Sequence, residues 1–175
     1  SIKNELGRFG ALDVRTVGAR AFSPLSRSQG WEFEVVHQYG LASTAPIRAW
    51  AGYWMVYWLT GTARWQPRLS VNYMYASGDS NPRDGRTNTF DTLYPTTHLR
   101  NGATDRLGWA NIHDVHLMGD WKLNRAWRLS AGGHDFHLAT VKDSLYSKSC
   151  SAILTNRAAT STHVGAELYA TLEWQ

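Results

Sequence analysis

Apolar and polar residues alternate along most of the chain, which is the period-two pattern of β-strands. The alternation is clearest near the C-terminus, where Leu168 and Leu172 share one face with Trp174, and Glu167 lies on the other. Clusters of Gly, Pro, Asn and Asp separate the alternating segments. The pattern predicts seven strands, at about residues 12–22, 31–39, 47–59, 65–76, 114–123, 127–139 and 162–174.

The lengths and connections of these segments favour a membrane barrel over a soluble sandwich, which also alternates. A tilted strand needs about 9–11 residues to cross a bilayer, and globular strands are usually only about 5–6 residues long. Short links at 61–64 and 124–126 alternate with long polar stretches at 77–111 and 142–161. Because outer-membrane barrels combine short periplasmic turns with long extracellular loops, we predict an all-β, antiparallel up-and-down transmembrane β-barrel in the cell outer membrane.

Tryptophan is unusually abundant, with nine residues in the chain. Six of them fall at strand ends beside predicted periplasmic turns: Trp31, Trp58, Trp65, Trp121, Trp127 and Trp174. Such a row is typical of the aromatic girdle at a membrane interface. The alternative, that aromatic residues simply favour strands, predicts no preference for one rim.

The number of strands predicts that the barrel is incomplete. Seven is odd, and bacterial single-chain barrels close with even numbers of strands. Counting back from a periplasmic C-terminus also places the first residue outside the cell. We therefore expect residues 1–175 to form a single barrel domain that is the C-terminal portion of a larger barrel.

Hydropathy and charge exclude some other classes of protein. Mean hydropathy is −0.40, and no run of 18 apolar residues predicts a transmembrane helix. The net charge is +4, but the basic residues are scattered. A nucleic-acid groove usually shows clustered Lys and Arg, so no nucleic-acid partner is predicted.

Strand parity predicts which charged residues line a lumen. The predicted inward set is Arg20, Glu32, Glu34, Arg48, Arg68, Asp120, Lys122, Arg128, His134 and Glu167. Mixed charge in a water-filled pore selects solutes, and Arg48, Arg68 and Arg128 could bind the carboxylates of an anionic sugar in succession. Alternatively, these residues pair with one another in cross-strand ladders, and both interpretations can hold together.

Two His-x-x-His pairs, His113/His116 and His134/His137, are the strongest metal-like motifs. On a strand, residues i and i+3 point to opposite faces, so neither pair chelates a metal alone, whereas His116 and His134 could face each other on the lumen side. The acidic stretch 78–85 lacks the closing Glu of a calcium loop. We therefore predict no metal and no cofactor.

No Gly-x-Ser-x-Gly motif is present, and Ser130 and Ser144 have no special context. We therefore predict that the protein is not an enzyme. Two alternatives stay open. An outer-membrane hydrolase needs a serine beside His134, and a soluble ligand-binding barrel needs an apolar interior with a polar exterior.

Several stretches resemble the alginate-export family of outer-membrane proteins. They are ASGD at 76–79, FDTLYPTTH at 90–98, DRLGWANIHD at 105–114, DFHLA at 135–139, DSLY at 143–146 and HVGAEL at 163–168. The motif residues are Asp79, Pro95, His98, Asp105, Gly108, Asn111, His113 and Asp114.

The resemblance implies a monomeric barrel of about eighteen strands, of which this chain would supply the last seven. It implies passive passage of an anionic, alginate-like polysaccharide through an arginine-rich constriction. The lipid bilayer and the outer-membrane assembly machinery are the other expected partners. Trp174 resembles the terminal aromatic residue of the assembly signal, although Gln175 follows it. The alternative function is a general porin for small solutes.

Overall fold

The structure is a computed structural model that describes residues 2–3, 6–24, 28–60, 65, 67–93, 102–156 and 158–174. It is built from strands: β1 (Ile2–Lys3), β2 (Phe9–Gly10), β3 (Leu12–Pro24), β4 (Gln29–Ala42), β5 (Ala45–Leu59), β6 (Arg68–Ala76), β7 (Ile112–Lys122), β8 (Trp127–Leu138), β9 (Leu145–Tyr146), β10 (Ala152–Leu154) and β11 (His163–Trp174). Within the described residues, no helix has the length and hydropathy needed to span a bilayer.

The seven long strands form one antiparallel sheet in the order β11-β8-β7-β6-β5-β4-β3. Each long strand therefore pairs with the long strands before and after it in the chain, as in an up-and-down meander. Strands β3 and β11 are the two edges, and among the described residues they do not pair with each other. This sheet confirms the predicted all-β class and all seven predicted strands.

The strand ends differ from the prediction at two places. Strands β4 and β5 extend through the predicted link 40–46 and meet at a two-residue turn, where Ser43 has a φ of 60°. Strand β6 begins at Arg68, so Trp65 belongs to the preceding link. The four short strands were not predicted, because two or three residues are too few to show alternation.

The two ends of the sheet carry different connections. Residues 43–44, 77–111 and 139–162 connect strands at one end, which we call the loop end. Residues 25–28, 60–67 and 123–126 connect strands at the other, the turn end. The six tryptophans of the predicted girdle all lie at the turn end, which agrees with the predicted asymmetry.

The two faces of the sheet also differ. On one, the outer face, the exposed side chains include Leu168 (87% exposed), Leu117 (57%) and Val71 (42%). The opposite, inner face is covered at the loop end by the loops, which form a buried cluster with it. The cluster consists of Ala49, Ala51, Ala76, Phe90, Ile112 and Phe136. An apolar exterior is the reverse of what a soluble ligand-binding barrel requires, so that alternative is wrong.

Candidate solute-binding face

Strand register places nine of the ten predicted lumen residues on the inner face. Directly paired residues share a side of the sheet, and Arg20 pairs with Glu34, Arg68 with Asp120, Lys122 with Arg128 and His134 with Glu167. Glu32 pairs with Phe22, two residues along the same face from Arg20.

Arg48 is the exception, and its predicted inward position is wrong. It pairs with Tyr39 and is exposed on the outer face, between the buried inward residues Ile47 and Ala49. The inner face is apolar here because the loop residue Phe90 packs on it. Polarity alone therefore does not indicate the side of the sheet on which Arg48 lies.

A hydrogen-bonded network connects four strands, β6, β7, β8 and β11, in the middle of the inner face. His134 Nδ1 donates to Asp114 at 2.9 Å, and its ring stacks on His116 with centroids 3.8 Å apart. Asn72 Nδ2 donates to His116 Nδ1 at 3.1 Å, and the opposite nitrogen of that ring lies 2.8 Å from the Tyr169 hydroxyl. The predicted approach of His116 and His134 is therefore confirmed.

Basic and acidic residues lie nearer the turn end. Arg20 Nη2 forms an ion pair with Glu32 Oε1 at 2.8 Å, which is one contact of the predicted cross-strand ladder. The guanidinium of Arg68 instead lies 4.4 Å from the centre of the Tyr57 ring. The aromatic face therefore holds this cation in place.

The remaining charged residues near the turn end have other surroundings. Asp120 accepts a hydrogen bond from the Ser130 hydroxyl at 2.7 Å. In the part of the chain that the structure describes, Arg68 and Asp120 form no ion pair with each other, and neither Lys122 nor Arg128 forms one with any residue. The predicted ladder is thus only partly formed.

The long loops fold onto the inner face at the loop end. The Gln38 amide donates to the Asp91 carbonyl at 2.7 Å and accepts from the Asp91 N–H at 2.9 Å. Glu167 accepts hydrogen bonds from the Ala103 N–H at 2.5 Å and from the Thr104 hydroxyl at 2.7 Å. The described parts of 77–111 therefore fold inward over the inner face.

A comparison with protein families decides what this sheet belongs to. The family model described as alginate export matches residues 3–175, which is nearly the whole chain. The chain belongs to the alginate export family. This is a transport family of outer-membrane β-barrels with a role in polysaccharide export. No characterised protein matches the sequence significantly.

The alginate-export motif residues join the two long loops to each other. Asn111 is fully buried, and its amide donates to the carbonyls of Thr140 (3.0 Å) and Ser144 (2.9 Å). The Gly108 N–H donates to the Tyr146 carbonyl at 3.0 Å. A Cβ at Gly108 would come within 2.1 Å of the Ser147 carbonyl oxygen, so the close approach of the loops requires glycine.

Two further motif residues also bridge these loops. Asp105 forms an ion pair with Lys148 at 3.4 Å. The Asp79 N–H donates to Asp143 Oδ2 at 2.8 Å, and the same oxygen accepts from the Thr89 hydroxyl at 2.5 Å. Asp143 Oδ1 accepts a hydrogen bond from the Tyr146 hydroxyl at 2.7 Å. The pKa of Tyr146 is raised, mainly by burial and secondly by the negative charge of Asp143.

The other motif residues have separate positions. Asp114 belongs to the inner-face network, whereas His113 lies on the outer face, where its Nδ1 is 2.6 Å from the Tyr73 hydroxyl. Each His-x-x-His pair is thus divided between the two faces, as predicted. Pro95 and His98 lie outside the described residues.

The two serines considered for hydrolysis are not joined to His134. Ser130 donates to Asp120, and the Ser144 hydroxyl is hydrogen-bonded to the hydroxyl of Thr155 at 2.6 Å. In the described residues, His134 Nδ1 is directed to Asp114. The nucleophile and base of the hydrolase alternative are therefore not brought together.

The residues that fasten the loops gave no distinct signal in the sequence. Gln38 looked like an ordinary inward polar residue, and Tyr57 gave no sign that it would lie under Arg68. Asp143 was visible only as part of a family-like stretch. The signal that could have identified Gln38 is an uncharged amide at an inward position of its strand.

Proposed function

We propose that this chain forms part of the wall of an outer-membrane channel that conducts an anionic, alginate-like polysaccharide. The main support is the asymmetry of the sheet. Large apolar side chains are exposed on one face, while nine charged or titratable residues share the other with the loops. A lipid-facing exterior and a polar lumen produce this arrangement.

The proposed contacts for substrate carboxylates are the inner-face cations Arg20, Arg68, Lys122 and Arg128. The planar guanidinium group binds carboxylates with two parallel hydrogen bonds. Stacking of Arg68 on Tyr57 limits the conformations of its side chain, so less conformational entropy is lost when it binds an anion. Uronate units could then pass from one cation to the next by diffusion, with no covalent step and no cofactor.

We further propose that additional strands close the barrel. The described edges, β3 and β11, do not pair with each other. Unpaired strand edges are not tolerated in the hydrocarbon region of a bilayer. A monomeric barrel of about eighteen strands, inserted by the outer-membrane assembly machinery, would satisfy both edges, with residues 1–175 as one section of a single domain.

A general porin for small solutes is the second candidate. Acidic residues share the inner face with the cations, including Glu32, Glu34 and Asp120. Such mixed lining is compatible with weak selectivity for small ions of either sign.

Ion selectivity of the full-length protein in planar lipid bilayers tests the channel proposal. The double variant R68Q/R128Q should lower the ratio of anion to cation permeability. The matched control is R48Q, because Arg48 carries the same charge on the outer face; it should leave the ratio unchanged. Unchanged selectivity in R68Q/R128Q, or an equal loss in R48Q, would contradict the proposed carboxylate contacts.

The same bilayers separate the two candidate substrates. Oligouronates added to one side should interrupt the ionic current of the wild-type protein at lower concentration than neutral oligosaccharides of equal length. R68Q/R128Q should lose this difference. Equal sensitivity of the wild type to both oligosaccharides would favour the general porin.

A further inference from the structure

Three potential metal ligands lie together on the outer face near the loop end. Asp135 and His137 belong to β8, and His163 begins β11. His137 Nε2 is 3.1 Å from Asp135 Oδ2, and His163 Nε2 is 3.1 Å from Asp135 Oδ1. One ligand atom from each side chain lies within 4.8 Å of the others. All three side chains are accessible, with 53%, 38% and 53% of their surfaces exposed.

A β-bulge directs His163 toward this cluster. His163 pairs with His137, but Gly165 already pairs with Phe136, so Val164 is an extra residue in β11. Val164 packs against the buried inner-face cluster. Regular alternation would have placed His163 on the inner face with Glu167, as the sequence pattern indicates. Bulges often redirect a side chain beside a functional site, and this one completes the group of three ligands.

We infer that Asp135, His137 and His163 bind a divalent transition metal ion of the Zn²⁺ type. Imidazole nitrogen and carboxylate oxygen are the ligands of such ions, with metal–ligand distances of about 2.0–2.2 Å. Tetrahedral ligands are then about 3.4 Å apart, which small side-chain rotations in this cluster can reach. Ca²⁺ prefers about six to eight oxygen ligands, so two imidazoles and one carboxylate disfavour it.

The cluster lies toward the loop-end boundary of the expected apolar band. Asp135 is eight residues beyond Trp127, which lies in the aromatic row at the turn end. Eight steps span about 27 Å along a strand, or about 20 Å along the membrane normal at a tilt of about 40°. The apolar band of such barrels is about 25 Å tall. The metal ligands therefore lie near its upper boundary.

Stability alone gives a weak reason for two histidines on one exposed carboxylate. Exposed ion pairs contribute little, typically about 0–1 kcal/mol. A bound metal gives the cluster a definite effect, because it connects β8 to β11 at the loop end. The connection 139–162 leaves the sheet at this point, so the metal would hold both ends of that loop in place.

Metal titration of the full-length, untagged barrel in detergent tests this inference. The protein is first treated with a chelator. Calorimetry should then show that Zn²⁺ binds at one high-affinity site. H163Q and D135N should each weaken that binding by about tenfold or more. The matched control is H113Q, because His113 pairs with His137 on the same face and is not one of the three ligands. The H113Q variant should bind Zn²⁺ with the affinity of the wild type.

A second measurement needs no variant, so it remains decisive if a substitution prevents insertion. Cu²⁺ bound to the wild-type protein should show nitrogen splitting from two imidazoles in its electron paramagnetic resonance spectrum. A spectrum without nitrogen ligands would overturn the inference, as would wild-type affinity in H163Q or an equal loss in H113Q. H116Q, on the inner face, should leave both measurements unchanged, and a loss of the site in H116Q would also overturn it.

Discussion

The imidazole rings of His116 and His134 stack on the inner face with centroids 3.8 Å apart and planes 7° from parallel. Asp114 accepts a hydrogen bond from His134, and the side chains of this pair are only 1% and 3% exposed. Two charged imidazoliums in such contact would repel each other, and Asp114 compensates a charge on one ring only. The network is therefore sensitive to the loss of this carboxylate.

Replacing Asp114 with alanine should destabilise the full-length barrel by about 2–3 kcal/mol, because it leaves the buried His134 donor without its partner. Urea unfolding from lipid vesicles measures this loss. D13A is the control, since Asp13 pairs with Arg15 in an exposed contact of 3.5 Å and should change stability by less than about 1 kcal/mol. Equal effects of D114A and D13A would show that the buried pair contributes nothing special.

Replacing Gln38 with alanine should release the described part of the 77–93 loop from the inner face. The substitution removes two hydrogen bonds to the backbone of Asp91, each worth about 0.5–1.5 kcal/mol. We expect a larger or noisier single-channel conductance and faster proteolysis within this loop.

Q29A provides the control for the loop release. Gln29 is an exposed residue of the same strand at the turn end, so its substitution should change neither conductance nor proteolysis. If Q38A behaved as Q29A does, the Gln38–Asp91 contact would not be what fastens the loop.

The strands could be predicted from the sequence because each crosses a uniform environment, with one side apolar and the other polar. The prediction failed where that uniformity ends. At Arg48, the loops make the inner face apolar, so a charged residue faces outward. At His163, the extra residue Val164 shifts the alternation by one position, so His163 lies on the outer face and not on the inner face.

The charged inner face could also be predicted largely from parity, as Arg68 and Glu167 illustrate. Their contacts could not. Glu167 binds the backbone of a loop more than sixty residues earlier in the chain, and Arg68 stacks on Tyr57 rather than pairing with Asp120. Such contacts depend on how loops fold and how strands align, and neither leaves a periodic signal.

Replacing Leu168 with arginine tests whether the outer face contacts lipid. Leu168 is 87% exposed and pairs with Gly133 midway along β8. An arginine at the bilayer midplane costs about 2–4 kcal/mol, measurable by urea unfolding from lipid vesicles. L154R is the control, because Leu154 is 61% exposed in the short strand β10 of the loop region. A small and equal effect of both substitutions would contradict a lipid-facing surface.

The half-buried side chain of Tyr146 predicts a loss of stability at alkaline pH. Burial and the charge of Asp143 raise the pKa of Tyr146 in the folded state, whereas an unfolded tyrosine ionises near pH 10. The folded state therefore retains a proton that the unfolded chain releases, and the stabilisation present at lower pH is lost progressively above about pH 10.

Y146F should be less stable than wild type by about 1 kcal/mol near neutral pH, and this difference should shrink above about pH 10. Unfolding curves across this range measure the difference, with Y39F, an exposed tyrosine on the outer face, expected to follow the wild type. A constant gap between Y146F and wild type would mean that the hydroxyl does not titrate differently in the two states.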